Sequence, residues 1–356
     1  MYERIVKPLL FRLDPERSHE LTLSCLAAAG GVRARLSAAA AAADPRLAVD
    51  VCGLRFPSPL GLAAGCDKAA RALWAWPYLG FGFVEVGTVT PRPQPGNPKP
   101  RVFRLPEDGA LINRLGFNSP GAGVVAERMA AARRTGRYPI LLGANIGKNK
   151  DTPLEDAASD YLRTLERLHP HADFLVVNLS SPNTPGLRSL QAPDAAVPLL
   201  AALAARNRAL GEKPLLVKVA PDMTEGELEA VADAAAGRAH GLVATNTTVR
   251  REGLRSPLAR EEGGLSGAPL RVLATDAVRI LYRATGGRLP IIGVGGIMSA
   301  EDAYEKIKAG AALLEVYTGF IYGGPGMPRR VARGLRGLLD RDGFRHLRDA
   351  VGCSAG

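Results

Sequence analysis

The apolar positions change period along the chain. Tyr2, Ile5, Val6, Leu9, Leu10 and Leu13 recur at helical spacing on one face, opposite Arg4, Lys7 and Arg12. Asp14 followed by Pro15 predicts an N-cap with proline at the first helical position, opening a second helix that runs through Ala29. That helix carries Leu21, Leu23, Cys25 and Leu26, and the Ala-rich stretch 37–43 reads as a helix end or linker. Two short amphipathic helices can pack on the rest of the protein or lie in a membrane interface. Periodicity leaves both open.

From residue 59 the pattern becomes short apolar strand, loop, helix, repeated. Candidate strands are 60–64, 83–86, 140–145, 174–178, 215–219, 241–245, 291–294 and 313–317, and helical patterns cover 156–168, 195–210, 225–236, 270–282 and 300–309. Strands without polar alternation, separated by helices, predict a parallel sheet covered on both faces. Eight such units close into a (β/α)8 barrel, and no G-x-G-x-x-G opens the first helix to favour a dinucleotide fold. The expected division is an α/β fold with a helical extension at 1–36, a linker and barrel-bottom hairpin at 37–58, and the barrel at 59–350. Two insertions, 91–121 with a hairpin over 102–114 and the polar 248–267, follow strands and therefore belong to the catalytic face.

Composition narrows the function. The chain has 356 residues, a net charge of +11 and 5% aromatic residues, and only nine of its 46 basic residues are lysine. A basic chain suggests anionic partners, but no basic run is interleaved with stacking residues, which argues against nucleic acid. The four cysteines, Cys25, Cys52, Cys66 and Cys353, show no metal or disulfide spacing, and His169 and His171 read as a helix end. No metal site is expected. The N-terminus reads as neither a secretory signal nor a transit segment, and no apolar run is long enough to span a bilayer.

In such a barrel the strand C-termini deliver the chemistry. Here they hold Asp67, Lys68, Thr88, Asn145, Asn178, Lys218, Thr245, Asn246, Thr247, Gly295 and Gly296. One Asn or Thr alone would serve as a helix cap. A set of neutral amides with two lysines suits a flat polar heterocycle that becomes anionic on reduction. GVGGI at 293–297 with YTG at 317–319 matches a phosphate site shared by many barrels, aldolases and isomerases among them. GANIGKN at 143–149 has the wrong spacing for a P-loop.

The most specific segment is NLSSPNTPGLR at 178–188. It resembles the signature of the dihydroorotate dehydrogenases, flavin enzymes of pyrimidine biosynthesis. The resemblance extends to GLAAGCDK (61–68), GTVTPRPQPGN (87–97), NRLGFN (113–118), NIGKNKD (145–151), VKVAPD (217–222), ATNTT (244–248) and GLSG (264–267). It implies FMN held by Ala64, Gly65, Cys66, Asp67, Lys68, Thr88, Asn145, Asn178, Lys218, Thr245, Gly267, Gly296, Tyr317 and Thr318. The Cys66 thiol itself reads as packing, since no histidine is placed to activate it. The substrate is expected at Lys68, Asn113, Arg114, Leu115, Gly116, Phe117, Asn178, Asn183, Asn246 and Thr247, whose amides and ammonium match the carboxylate and ring amides of orotate. Ser181 is the implied general base, with Thr184 as relay partner and Phe117 as gate; without the motif, Ser181 would read as a turn residue before Pro182.

Serine at 181, where the soluble branch of the family places cysteine, and the two-helix extension resemble the membrane-associated, quinone-reducing branch. In that branch the helices form an apolar mouth toward the flavin. By the same matching, His19, Arg104 and Tyr317 are candidates to contact the quinone, although a lone helical histidine is ordinarily a packing residue. The expected reaction is oxidation of (S)-dihydroorotate to orotate with FMN, electrons passing to a membrane quinone. The expected setting is the cytoplasmic face of a bacterial inner membrane, with the protein a monomer or weak homodimer. The alternatives are a soluble enzyme using fumarate or NAD, or a phosphate-binding aldolase or isomerase.

Overall fold

The computed structural model describes residues 2–33, 44–134 and 138–356, without the side chains of 30–33. In chain order the strands are β1 (Val49–Val51), β2 (Leu54–Phe56), β3 (Leu60–Leu62), β4 (Phe83–Val89), β5 (Val102–Leu105), β6 (Ala110–Asn113), β7 (Leu141–Ile146), β8 (Phe174–Asn178), β9 (Leu215–Val219), β10 (Gly241–Ala244), β11 (Gly264–Gly267), β12 (Ile291–Val294) and β13 (Ala311–Val316). Strands β3, β4, β7, β8, β9, β10, β12 and β13 form a closed barrel in that cyclic order, every neighbour parallel. These are the eight strands expected from the apolar runs. Runs such as Leu215–Val219, buried at every position, lie between the barrel interior and the outer helices.

Outer helices follow the strands at Ala157–Leu168, Pro193–Ala209, Glu225–Ala235, Arg271–Thr285 and Ala300–Lys308. Two begin at capping boxes: Thr224 with Glu227, and Ser299 with Asp302, each satisfying otherwise unpaired backbone donors. At the N-terminal end of the barrel, β1 and β2 form the antiparallel hairpin. Phe56 from this hairpin stacks edge-on against Phe83 at 5.2 Å, and Phe83 meets Phe174 at 6.0 Å. Gly61 and Gly143 make room for the plug, since a Cβ at either would stand 2.3 or 2.2 Å from the Phe83 or Phe174 ring.

The two insertions meet on the opposite, C-terminal face. Strands β5 and β6 form the expected hairpin, and β11 from the second insertion adds antiparallel to β6. The sequence patterning showed the hairpin but not its third strand.

The N-terminal extension folds as a π-helical segment over Tyr2–Val6, α1 (Lys7–Arg12) and α2 (Pro15–Arg33). Asp14 caps α2 by accepting from the N–H groups of Glu16 and Arg17 at 3.1 and 2.9 Å. The extension docks on the barrel through the Tyr2 hydroxyl, which donates to the Ile321 carbonyl at 2.5 Å, and through Phe11 edge-on to Tyr322 at 5.5 Å. Its apolar residues do not all face one way. Tyr2, Val6 and Leu10 border a cavity, whereas Ile5 (56%), Leu9 (57%) and Leu13 (45%) are exposed away from it, and Leu21 (50%) is exposed at its edge. Residues 37–43 of the expected linker lie outside the described residues. Among the described residues no helix is long and apolar enough to cross a membrane.

Candidate active site

A connected set of polar side chains lies at the C-terminal ends of the strands. Thr88 donates to the Asn145 side-chain oxygen at 2.5 Å, and the Asn178 amide donates to Thr88 at 2.8 Å and to Asn145 at 3.2 Å. Asn145 passes the chain inward to Glu85 at 2.6 Å, and Lys218 also donates to Glu85, at 3.0 Å. Asn246 continues the network on the other side, donating to Ser180 at 3.0 Å. Each amide is thereby turned to one fixed orientation, as a site preorganised for a flat hydrogen-bonding ligand requires.

This network borders a cavity of about 140 Å³ whose walls include Ala64, Gly65, Lys68, Thr88, Asn113, Leu115, Gly116, Phe117, Asn178, Ser181, Asn183, Lys218, Thr245, Asn246, Thr247, Gly267, Gly296, Tyr317 and Thr318. Residues from nearly every strand end and both insertions therefore converge on one place. Five expected site residues stand elsewhere. Asn145 lies beneath the wall in the network just described. Arg114 turns outward to an ion pair with Glu261 at 2.7 Å and stacks 4.5 Å from the Phe103 ring centre. Asp67 is fully buried, accepting from the backbone of Arg71 and Ala72 and from the Trp76 indole at 2.7–3.0 Å. Cys66 is buried beside it, where loss of solvent pushes its thiol pKa far up. Thr184, three residues beyond Ser181, is buried off the cavity wall, and its hydroxyl has no hydrogen-bond partner among the described residues.

The loop carrying Ser181 is held from below. Arg188 donates to the Ser180 carbonyl at 3.1 Å, to Asp222 at 2.9 Å and to the Thr247 carbonyl at 3.0 Å, tying the loops after β8, β9 and β10 together. Ser181 is 5% exposed, and its hydroxyl oxygen accepts from the Asn183 N–H at 3.2 Å. Across the cavity Phe117 adopts φ +53°, a conformation side chains other than glycine rarely take. Its carbonyl accepts from Gln94 at 2.9 Å, which helps fix that backbone.

Lys68 donates to the Asn118 side-chain oxygen. Burial of its ammonium, together with the charge of Arg101, pulls its pKa down to about 7. Tyr317 is raised by burial.

A second cavity, about 610 Å³, opens between the N-terminal extension and the barrel. Its walls are mainly apolar, from Tyr2, Val6, Leu10, Phe11, Leu23, Leu26, Trp76, Leu79 and Phe320, with His19 and Arg104 among the polar exceptions. Burial holds the His19 imidazole below its usual pKa. Arg104 donates to the Phe11 and Leu13 carbonyls at 3.0 and 3.1 Å and to Ser18 at 2.9 Å, so it also fastens the α1–α2 junction. Gly65, Lys68, Leu115 and Tyr317 border both cavities.

The dihydroorotate dehydrogenase family model matches residues 46–339. The chain belongs to the dihydroorotate dehydrogenase family. A dihydroorotate dehydrogenase (quinone) of Gloeobacter violaceus is 54% identical over 99% of this chain and 98% of its own length. One from Anaeromyxobacter dehalogenans is 56% identical over 98% and 95%. The crystal structure of DHODH from Eimeria tenella in complex with ferulenol superposes with a TM-score of 0.90, at 42% identity, covering 96% of both chains. The family-model match begins at residue 46, after the N-terminal helices, whereas the Gloeobacter relative aligns with 99% of this chain.

Two polar residues of this family member were not singled out by motif. Glu85 and Glu315 stand inside the apolar strand runs FVEV and LLEV and are fully buried beside Lys218. The signal was present, since a lone acid in a fully buried strand needs a partner. Among the described residues no group of His, Cys, Asp or Glu is arranged to hold a metal.

Proposed function

We propose that this enzyme oxidises (S)-dihydroorotate to orotate in pyrimidine biosynthesis, using FMN in the narrower cavity and a membrane quinone in the wider one. The observation that carries the reading is the pair of cavities with a common wall at Gly65, Lys68, Leu115 and Tyr317. A redox group on that wall can meet a polar reductant from one side and an apolar oxidant from the other.

The residues present fit a flavin. Lys218, Thr88, Asn178 and Thr245 offer a buried cation, hydroxyls and an amide along one side. At the far end Gly295 and Gly296 take positive φ, and a Cβ on Gly296 would fall 2.2 Å from the Arg271 backbone, so only glycine brings that backbone to the cavity. Ser266 and Thr318 pair their hydroxyls there at 2.8 Å. FMN, when bound, supplies the hydride acceptor and passes electrons onward.

On the substrate side, Lys68 holds the carboxylate while Asn113, Asn178, Asn183 and Asn246 orient the ring amides. Ser181 takes the proton from the carbon beside the ring carbonyl. Serine is a weak base in water, and its burial supports the dry pocket this role needs, with the buried Thr184 hydroxyl, free of other partners among the described residues, assigned as the relay. Phe117 closes the site, and Arg188 positions the Ser181 loop.

On the oxidant side, the apolar walls suit a quinone tail, with His19, Arg104 and Tyr317 near its head. The exposed Ile5, Leu9, Leu13 and Leu21 together with Arg4 and Arg12 suit contact with an anionic membrane surface. We assign that surface to the cytoplasmic face of a bacterial inner membrane, as a peripheral contact made by a monomer or weak homodimer. Steady-state kinetics varying dihydroorotate and quinone together test the scheme. Parallel double-reciprocal lines are expected from two half-reactions at one cofactor, whereas intersecting lines contradict alternate use of a single flavin.

A further inference from the structure

Beneath the narrower cavity three ionisable side chains from three strands meet inside the barrel. Glu85 of β4, Lys218 of β9 and Glu315 of β13 are each 5% exposed or less. Lys218 lies 3.0 Å from Glu85 Oε1 and 3.6 Å from Glu315 Oε2, and both Lys218 and Glu315 reach the cavity wall. The charges do not balance as written, since one ammonium faces two carboxyl groups. Glu85 Oε1 accepts from Lys218 and Asn145, but Glu85 Oε2 and both Glu315 oxygens have no donor among the described residues.

A buried carboxylate without a donor is far costlier than a buried carboxylic acid. One proton added to Glu315 converts two facing acceptors into a donor and an acceptor, leaving the three groups neutral in sum. Burial first, and then the adjacent Glu85 charge, raise Glu315 well above the ordinary carboxylate range. Burial also opposes the Lys218 charge, yet the two carboxyl groups outweigh it and hold Lys218 above its ordinary value. Among the described residues no other charged side chain is found against Glu315, whose register partners on the flanking strands are Val294 and Gly61.

We propose that Glu315 is a resident carboxylic acid that keeps its proton and donates a hydrogen bond to Glu85, leaving Lys218 paired with one anion instead of two and so tuning how strongly Lys218 favours the reduced, anionic flavin. The inference rests on the flavin reading above. Were Glu315 ionised, the floor of the site would carry a net negative charge and oppose reduction. As an acid it leaves the Lys218 charge available, and the coupling is reciprocal, so flavin reduction must in turn perturb the Glu315 carboxyl.

The test is an infrared difference spectrum, dithionite-reduced minus oxidised, of the flavin-loaded enzyme. The expected result is a carbonyl stretch of a protonated carboxyl that moves on flavin reduction and moves again on exchange into deuterium oxide. Neither observation needs a variant. The band is expected to be missing from Glu315→Gln, while the flavin reduction potential of that variant stays at the native value, one neutral group having replaced another. Absence of a protonated-carboxyl band from the native difference spectrum overturns the proposal, as does a potential that rises in Glu315→Gln. Because dithionite replaces the substrate, these outcomes are separate from failure of the functional reading, which would show as a chain without flavin or a flavin that dihydroorotate does not reduce.

Discussion

If Lys68 holds the substrate carboxylate, binding must be linked to a proton. Its ammonium titrates at about 7 in the unliganded site, because burial and the Arg101 charge disfavour the protonated form. A bound carboxylate favours that form, so binding raises the Lys68 pKa and takes up a proton wherever the free side chain is neutral. The sign follows directly. Affinity for orotate is nearly flat below about pH 6, where Lys68 is already charged, and falls as pH rises through 7. If only the charged form binds, affinity at pH 8 is about tenfold weaker than at pH 6, and proton uptake per orotate rises from about 0.1 at pH 6 to about 0.9 at pH 8. Titration calorimetry of the oxidised enzyme with orotate, in two buffers of different ionisation heat at pH 6 and pH 8, reads both quantities. Lys68→Met should remove the pH dependence and weaken binding at pH 6 by about 2–5 kcal/mol, as truncating one partner of a buried charged pair does. A constant affinity from pH 6 to pH 8 with no proton uptake would refute the assignment of Lys68 to the carboxylate.

Ser181→Ala should retain the flavin but slow its reduction by dihydroorotate roughly 10²–10⁴-fold in rapid mixing, and an unchanged rate would remove Ser181 as the base. Arg104→Ala, which frees the Phe11 and Leu13 carbonyls and loosens the α1–α2 junction, should slow quinone-dependent reoxidation while sparing flavin reduction; equal loss in both steps would contradict its placement on the oxidant side. Removing residues 1–35 should likewise abolish quinone turnover and leave reduction by dihydroorotate intact, and retained turnover would show that the wide cavity is not the oxidant's route. Gly143→Val forces a side chain into the Phe174 ring and should cost about 1–3 kcal/mol or more in denaturant unfolding, with no loss expected only if the aromatic plug repacks freely.

The barrel was legible because a parallel strand buried on both faces has to be apolar almost throughout, and eight such runs fall between helical patterns. Cap chemistry helped: Asp14 before Pro15 marked the start of α2 to the residue. What stayed illegible depends on long-range contact. Strand β11 is four residues with glycine at both ends, and its pairing with β6 joins segments about 150 residues apart, which no local periodicity reports. The N-terminal face was visible as apolar, but a helix on a cavity mouth divides that face between interior and solvent, and the division is set by docking. Motif matching placed Arg114 at the substrate with its neighbours, whereas the nearby Glu261 carboxylate and Phe103 ring draw its side chain outward. Conversely, Glu85 and Glu315 lay in plain view within strand runs, and only closure of the barrel shows that both meet Lys218.

The most direct measurement is anaerobic mixing of the purified protein with dihydroorotate while its visible spectrum is followed. The account predicts a yellow protein whose flavin absorbance bleaches on mixing and returns when a quinone is added. A colourless protein, or a flavin whose absorbance dihydroorotate leaves unchanged, would contradict it.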